Sequence, residues 1–275
     1  MIQKLAPLVP KASPMRLLTA LTGRNGLIFC LAFLLSQFGP PPEAEAKVQP
    51  GQEGVGEVTV TLVGPEGLTR VDGLQAQADA YIQKTAPKLK LKVMALYADT
   101  EDWARFVAAA SGRRPAAVPR FALLCTTASM PKKHYDQKSL RRELTRYEKW
   151  FNLAAGNKIL AALLTRQGNR KLTKIMGVDI GFEFKVDEFT RKFDQSGDSL
   201  SLGAKVAFKV FGQPSQVFLT ATAQAVGDKI IFLAYFEKDG PEIKKIQERA
   251  KTWRQNLARI NAGQYRPLNQ ADKNK

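Results

Sequence analysis

From residue 202 onward, apolar positions alternate with others. Leu202, Ala204, Val206, Phe208 and Val210 stand against Gly203, Lys205, Ala207, Lys209 and Phe211. A period of two puts each set on its own face, which predicts an antiparallel strand with one face in the core and one in water. Gly212-Gln213-Pro214-Ser215 reads as a turn, Gln216–Val226 as the returning strand, Gly227-Asp228 as a second turn and Lys229–Phe236 as a third strand. Such short connections require antiparallel neighbours. The period then lengthens. Ile243, Ile246, Ala250, Trp253, Leu257 and Ile260 recur at three and four, the stripe of an amphipathic helix. Asp239-Gly240-Pro241-Glu242 starts that helix, with proline and an acid where the first turn favours them, and Gly263 stops it.

The earlier part interleaves strands with helices. Val58–Val63 and Leu91–Ala98 are rich in β-branched and aliphatic residues, and Arg120–Thr126 holds an apolar run; all three predict strands. Leu74, Ala78, Tyr81, Ile82 and Thr85 predict a helix ended by Pro87. Asp99-Thr100-Glu101-Asp102 opens another through Trp103, Phe106 and Val107, closed by Gly112. Leu140, Leu144, Tyr147 and Phe151 line one face of a further helix, and Ile159, Leu160, Leu163 and Leu164 line one over 158–166. Val178–Val186 reads as a strand. The class is therefore α+β: a mixed or antiparallel sheet with packed helices, a C-terminal three-stranded meander and a closing amphipathic helix.

The strand and turn of Val58–Gly67, the meander Leu202–Phe236 and the helix Pro241–Ile260 with Trp253 together resemble the PsbP-like α+β sandwich, a family of exported accessory proteins that includes an extrinsic subunit of photosystem II. These pieces cover under half of the chain after residue 46, and the stretch Lys132–Lys174 has no counterpart in them. The resemblance implies an accessory or binding role more than catalysis.

The N-terminal stretch has another pattern. Met1–Leu35 holds Lys4, Lys11, Arg16 and Arg24 and no acid, and it ends in the apolar run Leu27–Leu35. Pro40, Pro41 and Pro42 follow, then Ala44-Glu45-Ala46. This order predicts an export signal over 1–46, cleaved after Ala46, with Met1 or Met15 as its start. A run of nine is under half of the ~20 apolar residues of a membrane span. Cys30 lies inside the run behind Phe29, which does not suit lipoprotein attachment. Residues 47–56 read as a linker, 57–262 as one α+β domain and 263–275 as a polar tail. The expected location is periplasmic or secreted, with no membrane span in the mature chain.

Charge sharpens this picture. Residues 1–46 hold four of the 42 Lys and Arg and two of the 25 Asp and Glu, so the remainder carries a formal charge of +15. The excess is concentrated. Twelve Lys and Arg fall between Lys132 and Lys174, against Asp136, Glu143 and Glu148. Lys138, Arg141, Arg142, Arg146 and Lys149 lie around the predicted core face of one helix and form the candidate anion-binding site. Outside the cytoplasm the matching anions are lipid head groups, an acidic glycan or an acidic envelope protein; nucleic acid has no export rationale. A solvated face that binds nothing explains the same residues equally well.

Other chemistry finds little support. His134 and Cys125 are the only His and Cys after residue 46, too few for a structural zinc site. Asp194-Gln195-Ser196-Gly197-Asp198 resembles a calcium loop only in outline: glycine stands fourth, and position twelve is Lys205. It reads as a polar hairpin turn. No nucleotide, metalloprotease or nucleophile-elbow motif is present, and no cofactor or metal is implied. Cys125 sits in the apolar run Phe121–Cys125 and reads as a buried thiol. Asp99, Glu101 and Asp102 read as helix-capping acids. Glu183, Asp187, Glu188 and Asp194 read as a solvated strand face. The expectation is a non-enzymatic binding or accessory domain. The alternative is an envelope hydrolase with an unrecognised carboxylate site or a site built on Cys125, for which His134, nine residues further on, would be the partner in a Cys–His dyad.

Overall fold

The period-two segments form one sheet, and its register decides which side chains share a face. The computed structural model describes residues 51–74, 86–87, 90–111, 119–155, 182–210, 213–238 and 243–264. The predicted export signal and the predicted helices over 74–85 and 158–166 lie outside the described residues, apart from Leu74. Strands β1 (Gln52–Val55) and β2 (Val58–Thr61) pair as a hairpin. The seven-stranded sheet contains β3 (Thr69–Arg70), β4 (Leu91–Ala98), β5 (Phe121–Thr127), β6 (Phe182–Ser196), β7 (Ser199–Val210), β8 (Gln213–Val226) and β9 (Lys229–Lys238), in the order β3-β4-β5-β9-β8-β7-β6. Every neighbouring pair is antiparallel. Among the described residues the α-helices are α1 (Thr100–Ser111), α2 (Gln137–Ala155) and α3 (Ile243–Ile260). The fold is α+β. Among the described residues, no helix is long and apolar enough to cross a membrane.

The two main helices lie on opposite faces of the sheet. Continuous β8–β9 register means that Phe232, Ala234 and Phe236 share one face, and Tyr235 and Glu237 the other. The Tyr147 ring of α2 meets the Phe232 ring edge-on, with centroids 5.8 Å apart. Phe121 and Phe236, directly opposed on β5 and β9, stack on that same face at 4.2 Å. On the other face, Arg249 of α3 pairs with Glu237. Trp253 of α3 meets Tyr97 edge-on at 6.1 Å and donates Nε1–H to the carbonyl of Val63 at 2.6 Å. Asn261, just past α3, accepts from Thr61 N and donates to Thr61 O, so the end of the helix is tied to the β1–β2 hairpin.

Four expectations change. Residues 52–55, read as part of a linker, are β1 of that hairpin. The face of β7 read as wet is partly covered: Gly203 is buried, Lys205 and Ala207 are half-buried, and the same face continues into Ser199 and Ser201, fully buried, and across to Thr220, Thr222 and Gln224 of β8, at most 2% exposed. They are satisfied sideways, for example by the 2.8 Å bond between Ser201 Oγ and Thr222 Oγ1. Strand β8 begins at Gln213, where a turn through Ser215 was expected. Its Pro214 is tolerated because, among the described residues, β9 pairs with β8 only from Val217 onward, so no β9 partner there needs the missing N–H. Finally, β6 runs to Ser196, ten residues past Val186. Register shifts between Val186 and Glu188 and between Thr190 and Asp194 re-phase it, which erases a simple alternation from the sequence.

Candidate anion-binding face

Asp136 starts α2. Its Oδ1 accepts from Ser139 N and from Ser139 Oγ, both at 2.6 Å, which satisfies an otherwise unpaired first-turn amide. These bonds favour the ionised acid and hold its pKa below the ordinary carboxylate value. Leu140 and Leu144 are each 4% exposed and fix the rotation of the helix about its axis. At about 100° per residue, Lys138, Arg141, Arg142, Arg146 and Lys149 then fall within about 140° of the circumference, away from the core side. All five are exposed. From Lys138 to Lys149 the row rises ~16 Å.

The acids of the same helix do not neutralise the row. Glu143 is buried and takes Arg146 Nη2 at 2.6 Å. Glu148 takes Lys192 of β6, also at 2.6 Å. The Arg146 guanidinium additionally lies 6.0 Å from the Tyr147 ring centroid, at the outer reach of a cation–π contact. Among the described residues, Lys138, Arg141, Arg142 and Lys149 make no ion pair. Helix α3 differs. It holds six Lys and Arg to the five of α2, yet Arg249, Lys251 and Arg254 face Glu237, Glu248 and Asp194, respectively. Among the described residues, four of the five cations of α2 thus make no ion pair.

The other candidates have structural roles. Asp99 Oδ1 accepts from Glu101 N at 3.1 Å and Asp102 N at 3.0 Å, so it caps α1. Cys125 is fully buried, and burial pushes its thiol up to about 12. Asp194, expected on a solvated face, is turned inward against Arg254, with Nε 2.7 Å from Oδ2. Arg254 occupies the apolar stripe of α3 between Ala250 and Leu257, a position at which an arginine signals a buried partner.

One cluster had no signal in the sequence. His134 Nδ1 pairs with Asp228, and Lys229, 1% exposed, donates Nζ–H to the carbonyl of Lys133. Lys229 Nζ lies 3.3 Å from Asp228 Oδ2 and 3.4 Å from His134 Nδ1. Tyr135 N donates to Asp228 O at 3.0 Å. The loop before α2 is thereby stitched to the β8–β9 turn. Gly56 completes the contact from β1–β2: its φ is 67°, and a Cβ there would stand 2.6 Å from the carbonyl oxygen of Pro131. Hence His134 takes Asp228 as its partner, and the Cys125–His134 dyad is not formed.

Comparison with known proteins adds one slight likeness. No family model matches the chain, and no curated protein matches it. Among solved structures, it is similar to the Ran-binding protein Mog1p of Saccharomyces cerevisiae, at 10% identity across 78% of this chain and 95% of that one, with a TM-score of 0.27, too slight an overlap to carry an argument.

Proposed function

We propose that this chain is an exported, non-enzymatic binding or accessory domain that docks on an anionic surface or partner through the basic row of α2. The observation that carries this reading is the asymmetry between the helices: at least three of the six cations of α3 are ion-paired, whereas among the described residues four of the five of α2, Lys138, Arg141, Arg142 and Lys149, make no ion pair. Exposed like charges one helical turn apart repel, so the row adds nothing to folding. It raises the local concentration of anions, and the attraction fades with salt as the screening length shortens to ~8 Å at physiological ionic strength. The N-terminal pattern supports export, and the PsbP-like resemblance supports an accessory role.

Binding of the purified full chain to phosphatidylglycerol vesicles and to acidic oligosaccharides, measured at low and high salt, tests the proposal. Binding to at least one, weakened by salt and by the triple change Arg141→Gln, Arg142→Gln, Arg146→Gln, is expected. A triple variant that binds as well as the parent overturns it. The matching test of export is N-terminal sequencing of protein recovered from the envelope: a start near Lys47 is expected, and an intact Met1 or Met15 contradicts it.

A further inference from the structure

At one end of the sheet, a cleft of about 510 Å³ separates the first turn of α2 from the last turn of α3. That volume lies within the ~300–1,000 Å³ usual for small-ligand sites. Leu140, Val226 and Ala258 supply an apolar lining, and Gln137, Asp198 and Arg259 supply the polar groups. Asp198 is held in place. One carboxylate oxygen accepts from Ser196 Oγ, and the other lies 3.3 Å from Nε2 of Gln224. Gln224 is itself fully buried, and its Nε2 also donates to Ala225 O at 2.8 Å. Asp198 nevertheless lines the cleft and keeps spare acceptor capacity. Arg259 is exposed and makes no ion pair among the described residues.

The cleft adjoins the basic row. Arg141 Nη2 would lie 3.9 Å from a Cβ placed on Gly197, the residue before Asp198. A second cleft, of about 690 Å³, has a different character: of the charged groups lining it, Arg70 is closed on Asp72 at 2.7 Å and Lys92 on Glu53 at 2.9 Å.

We infer that the cleft beside α2 takes one sugar ring of a linear acidic glycan of the polyuronate kind, whose next carboxylates lie along the row from Arg141 toward Lys149. This rests on the reading of α2 as the docking face. The chemistry selects the class. A fixed carboxylate repels a phosphate head group, but it accepts hydroxyl donors, and a uronic acid brings hydroxyls and a carboxylate on one ring. The hydroxyls donate to Asp198 and Gln137, the ring carboxylate meets Arg259, and the C–H face of the ring lies on Leu140 and Val226.

The test uses the purified full chain, with oligogalacturonate, a neutral maltooligosaccharide of equal length and phosphatidylglycerol vesicles as probes, at low salt. Oligogalacturonate binds and the neutral sugar does not. Asp198→Asn and Arg259→Gln each weaken oligogalacturonate binding about tenfold, the scale of one hydrogen bond to a charged group, and leave any vesicle binding unchanged. The triple α2 variant weakens both. If both cleft variants bind oligogalacturonate like the parent, or if the parent binds vesicles and ignores oligogalacturonate, the glycan inference is wrong and the α2 reading stands. If neither anionic probe binds, the α2 reading fails and the inference with it. Circular dichroism checks each fold; should Asp198→Asn unfold, the exposed Arg259→Gln decides.

Discussion

Arg254 and Asp194 form an ionic contact between α3 and β6, with Nε 2.7 Å from Oδ2 and side chains only 9% and 13% exposed. The two atoms are close but not aligned as a hydrogen bond. A buried charge that loses its partner costs about 3–5 kcal/mol, whereas replacing both partners by apolar groups is often neutral. Asp194→Ala and Arg254→Met should each destabilise strongly, and the double variant less than the sum. Urea unfolding of the four proteins gives the coupling; single variants within about 0.5 kcal/mol of the parent would show that the pair is idle.

Trp253 is 1% exposed and holds α3 to both the sheet and the β1–β2 hairpin. Trp253→Ala should lose about 3–5 kcal/mol through the cavity it leaves. Trp253→Phe keeps a ring but strands the carbonyl of Val63, and should lose about 1–3 kcal/mol. Thermal and urea unfolding rank the two variants, and an unchanged Tm for the alanine form would refute this account of how α3 docks.

Cys125 should not react with a thiol reagent until the protein unfolds. Its pKa is raised by burial to about 12, against about 8.5 for a free thiol. The unfolded chain therefore releases this proton first, and its charging favours unfolding. Below about pH 8.5 the term is absent; between there and about 12 stability falls as pH rises. Cys125→Ala should flatten that part of the stability profile. Rapid labelling of the native protein would show that the thiol is accessible.

Asp136 has the opposite sign. Its carboxyl is held low by Ser139, so its contribution is present above the unfolded carboxylate pKa of about 3.9 and is lost as pH falls through the folded value. Protection of the first-turn amides of α2 against exchange, corrected for the intrinsic slowing of exchange in acid, should fall on acidification, and less so in Asp136→Asn, which keeps an acceptor that does not titrate. Equal acid sensitivity in the two proteins would remove Asp136 as the cause.

The exposed cations of α2 could be placed from the sequence because Leu140 and Leu144 fix the rotation of the helix, and the rest of its surface follows from 3.6 residues per turn. The meander was readable for the same reason in period two. Both patterns report which residues are apolar, and they say nothing about how polar residues are paired. Ser201, Thr222 and Gln224 look like a wet face, yet they lie beneath α3 because they satisfy one another or the local backbone. Lys229 opens an otherwise apolar strand and gives no hint that its amine will be capped by a carbonyl from residue 133. The cleft at Asp198 is assembled from four separate stretches of chain, so no local spacing could reveal it.

The strand order has a consequence for the timing of assembly. β9 alone joins β5, at the border of the early strands, to β8, at the border of the meander. It is also the last strand of the sheet to be synthesised. Until it is available, β3–β5 and β6–β8 are two separate ribbons with exposed edges, and neither can bury its apolar face against the shared core. Pairings this distant in sequence form slowly. The continuity of the whole sheet thus depends on one late strand, whose stretch Phe232–Phe236 pairs with Phe121–Cys125 across more than a hundred residues of chain.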